Sequence, residues 1–255
     1  MNSIAQMLDP AAWFALIGAG WNGLDRNDFW LALVKIIWIN ILLSGDNALV
    51  IAMACRDLPP AQKLWGLILG SGVAVLLRVI FTGIVASLML LPFLKIAGGL
   101  ALFYIAVKLL VPDEADENET QAAAHLWRAV RIVAVADIIM SLDNVIAIAA
   151  AAGGNMALLV IGLAISIPMI VAGAAAIMAI LDRFPILVWA GAALLGWITG
   201  EVIATDPVVA GYLTTHYGVA FAHNAEYGAA ALGLVLVLLV GGLWRRAKLN
   251  TASQI

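Results

Sequence analysis

Seven long apolar runs dominate the chain, at residues 29–54, 64–91, 93–111, 129–152, 156–181, 186–204 and 225–244. A helix that crosses a bilayer needs about 17–25 predominantly apolar residues. In lipid every backbone N–H and C=O must be satisfied within the segment, so such runs fold as helices. The sequence therefore predicts an all-α polytopic membrane protein with about seven transmembrane helices. Composition agrees: 64% of the residues are hydrophobic and 11% charged, with a mean hydropathy of +1.05. Soluble domains are roughly half apolar and a quarter charged.

The polar remainder excludes several classes. The net charge is -3, and no basic patch with interleaved aromatics supports a nucleic-acid partner. A single cysteine, Cys55, rules out an intramolecular disulfide and a Cys-rich metal site. Residues 1–28 do not read as a cleaved signal peptide. The apolar run 11–21 is too short to span, no Lys or Arg precedes it, and Asp9 sits where positive charge belongs. An interfacial or re-entrant segment is expected there. Residues 112–128 form an acidic linker with Asp113, Glu114, Asp116, Glu117 and Glu119, polar enough to be expected mobile.

One phrase occurs twice inside the apolar runs: Ser44-Gly45-Asp46-Asn47 and Ser141-Leu142-Asp143-Asn144. A carboxylate near the centre of a span costs roughly 2.5–3.5 kcal/mol on insertion scales. The match extends back one turn, to Asn40 and Asp137. It also extends forward, where Pro92 corresponds to Pro185 and Gly98 to Gly191. Residues 29–111 and 129–204 thus read as two three-helix repeats. Three is odd, so the second copy enters the membrane from the opposite side, and such inverted repeats place a substrate site at the midplane. Residues 205–255 add an outer loop, a seventh helix and a basic tail. The seventh helix is read as a packing or oligomerisation element, with a homo-oligomer as the partner it would serve.

On an ideal helix Asn40, Ser44 and Asn47 share a face, whereas Asp46 points elsewhere. The helix is therefore either deformed near 44–46 or has two polar faces with different neighbours. Gly45 would ease unwinding in the first copy; Leu142 gives the second no such help. Carboxylate, amide and hydroxyl oxygens suit hard divalent cations such as Mn²⁺, Mg²⁺ or Ca²⁺. Asp46, Asn47, Asp143, Asn144, Asp137, Asn40, Ser44 and Ser141 are the candidate metal residues. The competing reading is interhelical hydrogen bonding, which neutral side chains would achieve at lower cost. Met140 could add a soft ligand, or simply pack. Arg78, in mid-span, is either a counter-ion to one of the aspartates or a structural salt bridge or snorkelling side chain. Glu201, His216 and His223 are expected at interfacial or outer positions. No catalytic constellation is present: neither a nucleophile–base pair nor an HExxH motif occurs, so an enzyme is the weakest reading and no cofactor is expected.

The segments SGDNALVIAMACRDLP and DIIMSLDNVIAIA, in two three-helix halves, resemble the TerC family of integral membrane proteins, in particular small seven-helix members associated with manganese export. The resemblance implies that Asp46, Asn47, Asp143 and Asn144 form the core of a metal site, with Asp137 and Asn40 beside them.

Lys and Arg fall mostly in one set of loops, which places the N-terminus outside and the C-terminus in the cytoplasm of the inner (plasma) membrane. Together these features predict a secondary-active exporter of a divalent metal cation, Mn²⁺ by preference, working by alternating access. The metal is its substrate rather than a cofactor, and a coupling proton would be carried by Asp46, Asp137 or Asp143. A Ca²⁺ or Na⁺ exchanger is an alternative of the same architecture. An accessory membrane protein that aids the folding of exported proteins is an alternative of another class.

Overall fold

The computed structural model describes residues 27–88, 91–111, 119–152 and 155–252. Among them the chain is all helix: α1 (Asn27–Leu42), α2 (Gly45–Cys55), α3 (Pro60–Leu88), α4 (Leu94–Leu110), α5 (Glu119–Ala152), α6 (Met156–Arg183), α7 (Ile186–Ala204), α8 (Pro207–Tyr217) and α9 (Val219–Ala252). Segment 1–26, expected at the interface, lies outside the described residues, as does 112–118 of the acidic linker. From Glu119 onward, however, the expected linker is helical and forms the start of α5. The run Gln121–Arg131 is rich in Ala, Leu and Arg, which are strong helix formers, so the local propensity outweighs its polarity.

By length and composition, four of the described helices can cross a membrane: Pro60–Thr82, Ala157–Arg183, Ile186–Ala204 and Val219–Asn250. Phe29–Leu42 and Gly45–Cys55 make a fifth if the pair, bent by 52°, is one span. The molecule is apolar outside as well as inside. Trp30, Val34 and Trp38 on α1 and Leu232, Leu239 and Leu243 on α9 are all more than half exposed. A soluble surface does not carry continuous apolar faces of this kind.

Two sets of helices build the core. α5 lies along α3, while α6 lies along α1 and α2; α3 also meets α6, and α5 meets α1 and α2. The second set, α4, α7 and α9, packs beside them. Where α7 crosses α9 the seam is made of small residues. A β-carbon on Gly200 would strike the Ala229 carbonyl, and one on Gly196 would lie 2.7 Å from the Gly233 carbonyl oxygen. Small residues let helix backbones approach closely in lipid, where dispersion contacts rather than the hydrophobic effect hold helices together.

Where the sequence reading expects a polar loop before the seventh helix, α8 forms instead, and α9 begins at Val219 rather than near residue 225. The cause is local. Asp206 caps α8 by accepting from the Val208 N–H (3.0 Å), and Pro207 sits at the first helical turn, where its missing N–H is harmless. The buried Asp206 carboxylate also accepts from the Phe93 and Ile96 N–H groups (3.3 Å each). One side chain therefore ties the start of α8 to the start of α4. Phe93 is the described non-glycine residue with positive φ (64°), in the left-handed region that L side chains avoid. Asp206 holds that turn.

Candidate cation site

The site begins at the break between α1 and α2. The Leu43 N–H still bonds the Ile39 carbonyl (2.9 Å), and the Ser44 N–H tightens onto Ile41 (3.2 Å). The helix then stops and restarts at Gly45. The Asn47 N–H, which a continuous helix would direct to the Leu43 carbonyl, instead bonds Asp46 Oδ1 at 2.8 Å. The Leu43 carbonyl accepts from two amide side chains, Asn47 Nδ2 (3.5 Å) and Asn144 Nδ2 (3.2 Å). The asparagines of both repeated phrases thus cap the same broken turn. Asp46, half-buried in the first turn of α2, is placed favourably for the helix dipole.

The second phrase behaves differently. α5 runs unbroken from Glu119 to Ala152. Asp143 continues that helix, and its side chain lies outside the described residues. Of the deformation expected near 44–46, the structure has it in the first copy alone. Gly45 is not demanded by packing, since a β-carbon there would meet nothing within 4 Å.

Between the two phrases lies Arg78, from the middle of α3 and only 1% exposed. Its Nη1 donates to Asn40 Oδ1 and to Ser44 Oγ (3.1 Å). Its Nη2 donates to Asp137 Oδ1 (2.8 Å) and Ser141 Oγ (3.1 Å), and Nε reaches the same Ser141 hydroxyl at 3.3 Å. The two terminal nitrogens are shared between matched positions, Asn40 and Ser44 from one copy and Asp137 and Ser141 from the other. A planar, permanently charged fork suits this division in a way that lysine cannot. Asn40 is itself oriented by Ser166 of α6, which accepts from Asn40 Nδ2 and donates to the Leu163 carbonyl (2.7 Å). Ser166 is missing from the sequence reading; a lone serine in the apolar run ISIP is its only signal.

The arrangement is not self-contained. Asp137 Oδ2 and Asn47 Oδ1 are buried and have no hydrogen-bond partner among the described residues. Both residues line one small cavity of about 10 Å³, completed by Val50, Ile51, Val133 and Ala136. Met140 packs in the apolar core. His216 stacks on Tyr212, and His223 lies 3.6 Å from Glu226, so both histidines belong to α8 and the start of α9 rather than to this site. Among the described residues no three His, Cys, Asp or Glu side chains gather as a metal cluster.

An all-helical bundle with lipid-facing apolar surfaces and a sealed charged cluster is a polytopic integral membrane protein. Its family follows from comparison: the chain belongs to the integral membrane protein TerC family, whose profile matches residues 25–249. It is similar to the uncharacterized membrane protein YjbE of Bacillus subtilis (strain 168), 40% identical over 191 residues that cover 75% of this chain and 87% of that protein. The uncharacterized membrane protein YceF of the same organism is 28% identical over 178 residues, covering 66% of this chain and 69% of its own length. A UPF0053 protein of Buchnera aphidicola subsp. Schizaphis graminum (strain Sg) is 24% identical over 136 residues, 46% of this chain and 26% of its own. No solved structure matches.

Proposed function

We propose that the protein is a secondary-active transporter, not an enzyme, that exports a divalent metal cation, Mn²⁺ by preference, across the plasma membrane. The observation that carries this reading is the Arg78 fork. A cation already sits between the two SxDN segments, held by oxygen atoms from both. Ionisable groups inside a membrane bundle mark ion pathways far more often than they serve as glue. A purely structural ion pair is expected to satisfy its remaining lone pairs, whereas Asp137, which lines a cavity, keeps a buried Oδ2 with no described partner. In this reading Arg78 is a tethered cation that holds the site while the substrate is away. An arriving metal would compete for Asp137, with Asn47 and the SxDN aspartates Asp46 and Asp143 completing its oxygen shell.

Seven spans would comprise α1 with α2 as one, then α3, α4, α5, α6, α7 and α9, with α8 at the surface. The pairing of α5 with α3 and of α6 with α1 and α2 is what a two-fold relation between inverted halves would produce. The basic residues Arg56, Lys63, Arg128, Arg131 and Arg183 then lie on the cytoplasmic side. The membrane potential opposes cation efflux by about 2.3 kcal/mol per charge per 100 mV, so inward proton movement would drive it.

The test is Mn²⁺ flux through purified protein in proteoliposomes, with Ca²⁺ and Na⁺ as competitors. Flux abolished by Asp137→Asn, Asp46→Asn and Asp143→Asn supports the reading. Wild-type flux in all three variants overturns the site, and preferential competition by Ca²⁺ overturns the choice of metal.

A further inference from the structure

Below the Arg78 fork, the interface between α2 and α5, with the end of α4 beside it, contains a second, larger space. It is a vestibule of about 200 Å³ whose lining includes Ala54, Asp57, Lys108, His125, Arg128 and Ile132. The small cavity beside Asp137 lies between the same two helices. Along α2 the lining residues include Asn47, Ile51 and Ala54, successive turns of one face, with Leu58 in the turn that follows the helix. Along α5 they are Asp137, Val133, Ala129 and His125, again at one-turn steps. At 1.5 Å per residue the α2 stripe from 47 to 54 runs roughly 10 Å and the α5 stripe from 125 to 137 roughly 18 Å. Of the residues that bond Arg78, Asn40 on α1 and Ser44 in the break precede α2, and Ser141 follows Asp137 along α5, so all three lie on the side away from the vestibule.

We propose that this stripe is the loading route of the transporter: a cation enters through the α2–α5 vestibule, passes an apolar collar formed by Val50, Ile51 and Val133, and first binds in the cavity between Asn47 and Asp137. The proposal rests on the exporter reading and adds to it where the ion enters and which atoms meet it first. Those atoms are two acceptors, Asn47 Oδ1 and Asp137 Oδ2, with no described donor facing them. The Asn47 amide is oriented by its bond to the Leu43 carbonyl, which leaves Oδ1 free of that contact. A cavity of about 10 Å³ has room for a single water or a dehydrated small cation, so the ion must shed most of its shell at the collar. The lining sets Asp57 against Lys108 and Arg128, so the vestibule itself is no strong trap for cations. Selection therefore falls at Asp137. The carboxylate is shared, with Oδ1 on Arg78 and Oδ2 toward the route, and an ion bound at Oδ2 weakens the hold of Asp137 on Arg78. Loading on this side would loosen the fork that joins the two halves.

The test uses the full-length protein in proteoliposomes with Cys55 replaced by Ser, single cysteines at Ala54 and Ala136, and the membrane-impermeant cationic thiol reagent MTSET. Ala54→Cys marks the face on which the vestibule opens. The expected result is that Ala136→Cys is labelled from that same face, roughly ten-fold or more slowly because it waits on opening of the collar. MnCl₂ slows labelling at Ala136→Cys and leaves Ala54→Cys unchanged, and a second substitution, Val133→Ala, speeds it. Labelling of Ala136→Cys only from the opposite face, or none in a variant that still exports Mn²⁺, overturns the route while the exporter reading stands. Labelling from the vestibule face that MnCl₂ does not slow overturns the cavity as the loading site. Absence of Mn²⁺ flux in the wild-type protein overturns the exporter reading independently of the labelling pattern.

Discussion

Arg78 and Asp137 form an ion pair of 2.8 Å in which both side chains are only 2% exposed. The pair joins the middle of α3 to the middle of α5, and its partners Asn40 and Ser44 bring in the α1–α2 break. Removing one member of a buried pair leaves an uncompensated charge, at about 3–5 kcal/mol, whereas replacing both with apolar residues is often neutral. Arg78→Met alone should therefore destabilise the protein strongly in thermal unfolding followed in detergent. Arg78→Met with Asp137→Leu should recover most of that loss and still fail to transport Mn²⁺. Recovery of flux together with stability would reduce the pair to a structural bridge.

Arg78→Lys keeps the charge but loses the fork, since an ammonium cannot divide two nitrogens between Asn40 and Asp137. Its stability should fall less than that of Arg78→Met. The two-sided link between the α1–α2 break and α5 should nonetheless be lost, read as faster hydrogen exchange around residues 40–47.

The two asparagines that cap the Leu43 carbonyl should matter about equally for stability. Asn47→Ala and Asn144→Ala each remove one bond to that acceptor, worth about 0.5–1.5 kcal/mol. Only Asn47→Ala also removes an oxygen from the cavity beside Asp137. Comparison of the two in Mn²⁺ flux should show the larger defect for Asn47→Ala at similar melting temperature.

Two glycines should respond in opposite ways. Gly45→Ala places a methyl in open space at the start of α2 and should be neutral or stabilise by about 0.4–1 kcal/mol through the unfolded chain. Gly200→Ala drives a methyl into the backbone of α9 and should cost about 1–3 kcal/mol as α7 and α9 separate. Thermal melts of the two variants decide the matter.

Asp206→Ala removes acceptors from three N–H groups at the starts of α4 and α8. A lost cap costs about 0.5–2 kcal/mol, and the left-handed Phe93 turn is released with it. Asp206→Asn keeps one acceptor oxygen and should lose roughly half as much in the same melt.

The sequence by itself determined the solvent and the secondary structure. Long apolar runs leave only helices in lipid, Pro92 interrupts the chain between α3 and α4 as expected, and two phrases with costly carboxylates mark where polar chemistry lies. It also shows why the copies differ, since Asn40 stands where the second copy has Asp137. It misplaced the stretch before α9, where a polar loop around His216 and His223 is expected and Asp206-Pro207 instead starts a helix.

Tertiary structure alone decided which polar groups meet. Arg78 lies far from both phrases in sequence and has no counterpart in the repeat, so no periodicity could place its two nitrogens between Asn40, Ser44, Asp137 and Ser141. Ser166 gains its part only because α6 lies along α1. The break at Leu43–Ser44 was foreseeable as a deformation, but its closure by Asn144 comes from another helix. Burial of a charged group is settled by what surrounds it in space, and in a bundle of near-uniform apolar helices that depends on the packing rather than on any single run of residues.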